Sequence, residues 1–247
     1  MTIMTTKSAP QPLGPPIDAH HARRPERITL KGRWITLAPL DAEKHAEALY
    51  EGSNGDECRE RVWAYLFDGP FRSLDDFRSN IELKARSTDP LFFAVIDNVT
   101  GRALGYQTLM RVDAANRVIE VGNVMYTPAM QRTAGATEAQ YLFARHVFDD
   151  LCNRRYEWKC NALNAPSIRA AERFGFTFEG VFRQHMIVKG RNRDTAWFAM
   201  LDSEWPARKS AFERWLSPDN FDALGRQKAS LSSLMPKAVV TTGGRSR

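Results

Sequence analysis

The chain has 247 residues, a formal charge of +6, 43% hydrophobic and 26% charged residues, enough apolar material for one sizeable core or two small ones. Its longest apolar runs, such as Leu91 to Ile96, fall far short of the roughly 20 residues that a membrane-spanning helix needs, so no membrane partner is expected. Lys and Arg are scattered rather than set among exposed aromatics, which disfavours a nucleic-acid partner, and Cys58, Cys152 and Cys160 have no metal-ligand or redox spacing.

Residues 1–26 hold five prolines and no apolar stretch that would direct export, so they are expected to form a disordered arm on a cytoplasmic protein. A domain spanning residues 27–216 follows. Ile28, Leu30, Trp34, Ile35 and Leu37 predict a strand with a turn at Lys31-Gly32, and Asp41 caps a helix through Tyr50. Leu74, Phe77 and Ile81 predict a second helix that ends before Pro90. Leu91–Asp97, Ala103–Val112 and Arg117–Tyr126 read as three strands, and the short links between them imply antiparallel hairpins. A helix is predicted from Thr137 to Leu151, whose Ala139, Leu142, Phe143, Val147 and Leu151 share one face. Tyr156–Asn161 is a strand, Pro166–Phe174 a short helix stopped by Gly175, and Phe178–Leu201 a final strand pair. Trp205–Leu216 closes the domain as a helix, and residues 217–247 are expected to be largely disordered. The layout is α/β of the mixed α+β kind, with no internal repeat.

The segment from Val118 to Leu151 carries the chemistry. An apolar strand leads through Gln131-Arg132-Thr133-Ala134-Gly135-Ala136-Thr137 into an amphipathic helix. The first N–H groups of a helix have no internal partner and lie at the positive end of its dipole. Small residues there let a pyrophosphate reach the backbone. The same residues also suit a tight helix entry with no ligand.

The order of these elements resembles motif A of the Gcn5-related N-acetyltransferases (GNAT), with Gln131, Ala134 and Ala136 at its three defining places and Ala134 standing where the family has its first Gly. A second block, Asn161-Ala162-Leu163-Asn164-Ala165-Pro166-Ser167 followed by Ala170 to Phe176, resembles the branch of ribosomal-protein N-terminal acetyltransferases. The opening run Leu30 to Leu40 is similar to that branch too. The resemblance spans about residues 27–205 and implies a mixed, mostly antiparallel twisted sheet flanked by helices. It also implies acetyl-CoA as cosubstrate with no metal. The acceptor implied is a primary amine, on a small molecule or a protein N-terminus, attacked directly in a ternary complex. The state expected is monomer or homodimer.

Residue by residue, the resemblance assigns the pyrophosphate to Gln131, Arg132, Thr133, Ala134, Gly135, Ala136 and Thr137. The oxyanion falls to a backbone N–H among Val124, Met125 and Tyr126, and the pantetheine arm to Asn164. Ser167 would serve the leaving thiolate, since the family's usual general-acid Tyr position holds Ala171. Glu120 lies in the apolar run Val118-Ile119-Glu120-Val121, where burial would raise its pKa toward that of a base, and its place eight residues before Pro128 matches the family's general-base Glu. The alternative is a carboxylate on the solvent side of an alternating strand. Asn164 reads alternatively as a turn residue, and Ser167 as a helix cap. His45, His146 and His185 are candidate bases but read rather as surface or packing residues, the Trp63, Tyr65, Phe67 and Phe71 cluster reads as core with an acceptor-pocket lining as the alternative, and Arg191, Arg193 and Asp194 read as a solvated hairpin. Ala134 and Ala171 also leave room for a catalytically reduced sensor of acyl-CoA.

Overall fold

Two apolar periodicities organise the computed structural model, which describes residues 11–236. Strands that alternate large apolar groups bury both faces of one sheet, and helices with a single apolar stripe cover each face. The sheet has eight strands in the order β1-β2-β3-β4-β5-β6-β8-β7. They are β1 (Leu30–Lys31), β2 (Ile35–Pro39), β3 (Leu91–Asp97), β4 (Ala103–Asp113), β5 (Val118–Tyr126), β6 (Arg155–Asn161), β7 (Thr177–Val188) and β8 (Arg191–Leu201). All neighbours pair antiparallel except β5 and β6. The mixed, mostly antiparallel α/β arrangement expected from the sequence is therefore the one observed.

On one face lie α1 (Ala42–Asn54) and α3 (Leu74–Arg86), joined through the short α2 (Arg59–Trp63) that the sequence reading did not anticipate. Leu49, Trp63, Phe77 and Ile81 are wholly buried there against Phe92, Ala94 and Tyr106. On the other face α4 (Ala134–Arg145) and α6 (Trp205–Leu216) cover Phe93, Val95, Ile119 and Phe198. Each such large side chain contributes about 1.5–3 kcal/mol by leaving water. The short α5 (Ala165–Arg173) closes the end of the sheet beside β6.

The α4 helix begins three residues before the predicted Thr137, because Thr133 Oγ1 accepts from the Ala136 N–H at 3.1 Å and caps the turn. Its last stretch, His146–Asp150, winds as a π turn rather than as the predicted α-helix. Glu138, in the second turn of α4, is buried, and its carboxylate accepts from the N–H groups of Arg33, Trp34 and Ile35 at 2.7, 2.7 and 3.0 Å. That triple acceptance fixes the hairpin between β1 and β2 at the Lys31-Gly32 turn.

The ends depart from the expected disorder where they are described. Residues 11–21 have no helix or strand, but Ala22 is buried and donates to Ala114 O at 2.9 Å, and Arg23 donates to Leu151 O at 3.0 Å. Beyond Leu216 the chain forms a 3-10 turn at Pro218–Asn220 and a helix, α7 (Leu231–Leu234). Leu231 is wholly buried against the α6 side of the core, and together with Phe221, Leu234 and Met235 and the Asn220 hydrogen bonds to Trp215 O and Ala229 O it anchors a segment that composition alone reads as a tail. Residues 1–10 and 237–247 of the two terminal arms lie outside the described residues. No helix among the described residues is long and apolar enough to cross a membrane.

Candidate functional site

The site forms where two neighbouring strands stop pairing. Strands β5 and β6 run together only over Val118–Val121 against Arg155–Trp158. Beyond Val121, β5 bulges: Thr108 faces Gly122 and Tyr106 faces Met125, so Asn123 and Val124 share the single partner Gln107, and Asn123 takes a φ of 46°. Meanwhile β6 stays paired with β8 as far as Asn161. The two strands diverge like an opened seam.

Thr127 fixes which backbone groups face the opening. Its N–H and Oγ1 both donate to Leu104 O, at 3.0 and 2.8 Å. Antiparallel alternation then directs the Met125 N–H toward β4 and the Tyr126 N–H away from it, into the opening. A cavity of about 600 Å³ occupies this space. Glu120, Val124, Tyr126, Gln131, Arg132, Ala136, Asn164 and Ser167 all line it, so one volume gathers residues that lie up to 47 positions apart in the chain.

Five of the expected residues do not line it. Met125 is buried in the core under α1 and α3, as the alternation requires. Thr133 is occupied as the cap of α4, and Ala134 packs at its start. Thr137 Oγ1 accepts from Arg173 at 3.0 Å. Gly135 is packed so closely that a Cβ on it would stand 2.7 Å from Ile35 Cγ2. Glycine is thus required there for close approach of the helix start to β2, a packing reason independent of any ligand. Gln131 Nε2 donates to Tyr126 O at 2.9 Å and ties the loop to the end of β5.

Glu120 is buried rather than solvent-facing, with 4% exposure. Its carboxylate accepts from Lys159 Nζ at 2.8 Å, and Arg111 Nε lies 3.4 Å away. Lys159 also pairs with Glu157 at 2.6 Å, and its ammonium sits 3.9 Å from the centre of the Trp197 ring. Burial pushes the Glu120 carboxyl above its ordinary range, and the pull of Lys159 and Arg111 only partly reverses it. For Glu157 burial acts in the same direction, but Lys159 and Arg155 outweigh it and hold its pKa down. The sequence reading missed Lys159. Its signal was the alternation Tyr156-Glu157-Trp158-Lys159, which puts two charges on one face of a central strand.

Asn164 and Ser167 come from the start of α5. Asn164 Oδ1 accepts from the Ser167 N–H at 3.2 Å, so Asn164 is the helix cap and Ser167 is not. Ser167 Oγ accepts from Trp158 Nε1 at 3.0 Å, which leaves its own proton free to donate. Ala171 is wholly buried in the core.

The roof comes from α2 and the β7–β8 hairpin. Tyr65 Oη donates to Leu163 O at 3.0 Å, and Lys189 Nζ donates to Trp63 O at 2.8 Å. Trp63 and Phe71 belong to the core, as expected, whereas Tyr65 and Phe67 are exposed and line the cavity. Arg193, read from sequence as solvated, is only 7% exposed and faces the cavity, its guanidinium 5.2 Å from the Phe67 ring. His185 lines the cavity as well, with Nδ1 3.0 Å from Thr195 Oγ1.

An opened seam between two parallel strands, set beside a capped helix entry, makes a cleft of this kind at the middle of the sheet. The model of the "Acetyltransferase (GNAT) domain" family matches residues 35–177, and the chain belongs to that family. A crystal structure of a GCN5-related N-acetyltransferase from Brucella melitensis is 51% identical, with a TM-score of 0.85 over 87% of this chain and 97% of that one. The "Putative ribosomal N-acetyltransferase YdaF" of Bacillus subtilis (strain 168) is 25% identical over 190 residues, 74% of this chain and 96% of its own length. In fold alone, the chain is also similar to the Microcin C7 self immunity acetyltransferase MccE, solved in complex with acetyl-CoA and AMP. That match has 22% identity and a TM-score of 0.60 over 69% of this chain and 93% of that one.

Proposed function

We propose that this chain transfers an acetyl group from acetyl-CoA to a primary amine, on a small molecule or a protein N-terminus, by direct attack in a ternary complex. The observation that carries the reading is the single cavity that joins a buried, pKa-raised Glu120 to the entry of α4. The residues present fit the cosubstrate: Gln131, Arg132 and Ala136 line a helix start whose first N–H groups have no partner within the helix. Acetyl-CoA would supply an activated acetyl thioester there. Fold likeness to a protein solved with acetyl-CoA supports the same choice.

Glu120 takes the amine proton, directly or through one water, and releases it to solvent when the product leaves. The Tyr126 N–H, turned into the opening, donates to the developing oxyanion. Asn164 holds the pantetheine arm through the amide N–H groups that its cap bond leaves over. Ser167, with its oxygen already held by Trp158, donates a hydrogen bond to the leaving thiolate, which takes its proton from solvent. Three free thiols suit work in a reducing cytoplasm.

The test is thiol release from acetyl-CoA in the presence of an amine panel, with cofactor affinity measured by calorimetry. Ala136→Glu should abolish cofactor binding, because Ala136 lines the cavity at the α4 entry and a carboxylate there repels the pyrophosphate. Unchanged affinity in a folded variant refutes the helix-entry assignment. Tight binding of acetyl-CoA without turnover on any amine would favour the acyl-CoA sensor instead.

A further inference from the structure

Resting on that reading of the cavity, we propose that the acceptor carries an anionic group, a carboxylate or a phosphate, in addition to its amine, and that this group docks on the Arg193 guanidinium. The argument starts from charge balance. Glu179, Arg155, Glu157, Lys159, Glu120 and Arg111 form a chain of alternating sign, linked Glu179 to Arg155 at 2.5 Å, Arg155 to Glu157 at 2.6 Å, Glu157 to Lys159 at 2.6 Å and Lys159 to Glu120 at 2.8 Å, with Arg111 3.4 Å from Glu120. Three carboxylates meet three cations, so this network neutralises itself. Arg193 stands outside it.

Arg193 is 7% exposed, pairs with no carboxylate among the described residues, and has a buried Nε without a hydrogen-bond partner among them. Its guanidinium lies 5.2 Å from the centre of the Phe67 ring, and the Cys160 thiol is near it. An arginine withdrawn from water is ordinarily paired, because an uncompensated buried charge is strongly unfavourable. Here the remaining N–H groups of the fork face a cavity in which Glu120 is the sole acidic lining residue, against six basic ones, Arg61, Arg111, Arg132, Lys159, Arg169 and Arg193. An anionic group on a ligand in this cavity would supply the missing partner.

Position separates this anion from the cofactor's own phosphates. Arg132 belongs to the α4 entry, whereas the charges that act on Arg193 are those of Cys160, Glu120 and Arg111. A planar guanidinium binds carboxylate or phosphate through two parallel bonds and so fixes orientation as well as affinity. An acceptor held at its acidic end by Arg193 would present its amine toward Glu120, the group that removes the proton.

The proposal is tested on the parent protein with matched amines: amino acids against their carboxamides, and phosphoethanolamine against ethanolamine. The anionic member of at least one pair should be acetylated with kcat/KM at least tenfold higher, and the pair that does so identifies the anion as carboxylate or phosphate. Arg193→Met should bring that ratio close to one, and Arg193→Lys should retain part of it. Binding of the same compounds to CoA-saturated protein, followed by calorimetry, should weaken at least tenfold in Arg193→Met. Equal turnover of both members by the parent, or anion binding that persists unchanged in a folded Arg193→Met, overturns the proposal. If anions bind through Arg193 while no amine is acetylated, the anion site stands and the amine-acceptor reading fails.

Discussion

Lys159→Met removes the one cation shared by two buried carboxylates. Lys159, Glu120 and Glu157 have side-chain exposures of 6%, 5% and 10%, and both pairs lie within 2.8 Å. Deleting one partner of a buried pair costs about 3–5 kcal/mol. Glu157 keeps Arg155 at 2.6 Å and Glu120 keeps Arg111 at 3.4 Å, so the loss should fall near the lower end, about 3 kcal/mol. For a chain of this size that corresponds to a fall in Tm of about 6–12 °C near pH 7. The pH dependence fixes the sign. Glu120 titrates above its ordinary value when folded, so the stability it lends is present at low pH and is lost as pH rises through the folded pKa. Without Lys159 that pKa rises further, so the variant should lose more stability between pH 5 and pH 7 than the parent does. Urea denaturation at the two pH values reads this directly. A loss below about 1 kcal/mol at both would refute the view that Lys159 compensates the buried carboxylates.

Two further substitutions separate chemistry from architecture. Glu120→Gln should lower kcat roughly a hundredfold or more near neutral pH with acetyl-CoA affinity retained, and higher pH should partly restore the rate by supplying free amine. Parent-like turnover across the pH range would make Glu120 structural. Asn164→Ala should lose about 1 kcal/mol, because it removes the α5 cap, and should also raise the KM for acetyl-CoA. Asn164→Asp keeps the capping oxygen and removes the amide donor. It should preserve the melting temperature yet still raise that KM, and a parent-like KM would reduce Asn164 to a cap.

The strands and long helices were legible because each has one dominant period: Leu91–Asp97 as an unbroken apolar run, and α4 by its repeating stripe. Glu120 was legible too, as a lone carboxylate in an apolar strand. What sequence could not supply was the surroundings that long-range pairing creates. Lys159 and Arg193 look like ordinary surface charges in a linear reading, and only the register of β6 against β5 and the return of β8 bury them. Val124 to Tyr126 were named as a range for one backbone N–H, and only strand alternation distinguishes them, turning the Met125 N–H toward β4 and the Tyr126 N–H into the opening. Thr133 gave a local capping signal that the small-residue pattern overshadowed, and Phe221, Leu231, Leu234 and Met235 show how a few spaced apolar contacts order a segment whose composition suggests a tail.

The divergence of β5 and β6 links durability to purpose. Every ladder bond that could be added past Val121 would stiffen the middle of the sheet, and each would also narrow the cavity in which the proposed cosubstrate and amine would meet. Variants selected for heat resistance should therefore gather changes in α1, α3 and α6 and spare the bulge at Asn123. The gap in the sheet is a weakness that selection for activity would be expected to maintain.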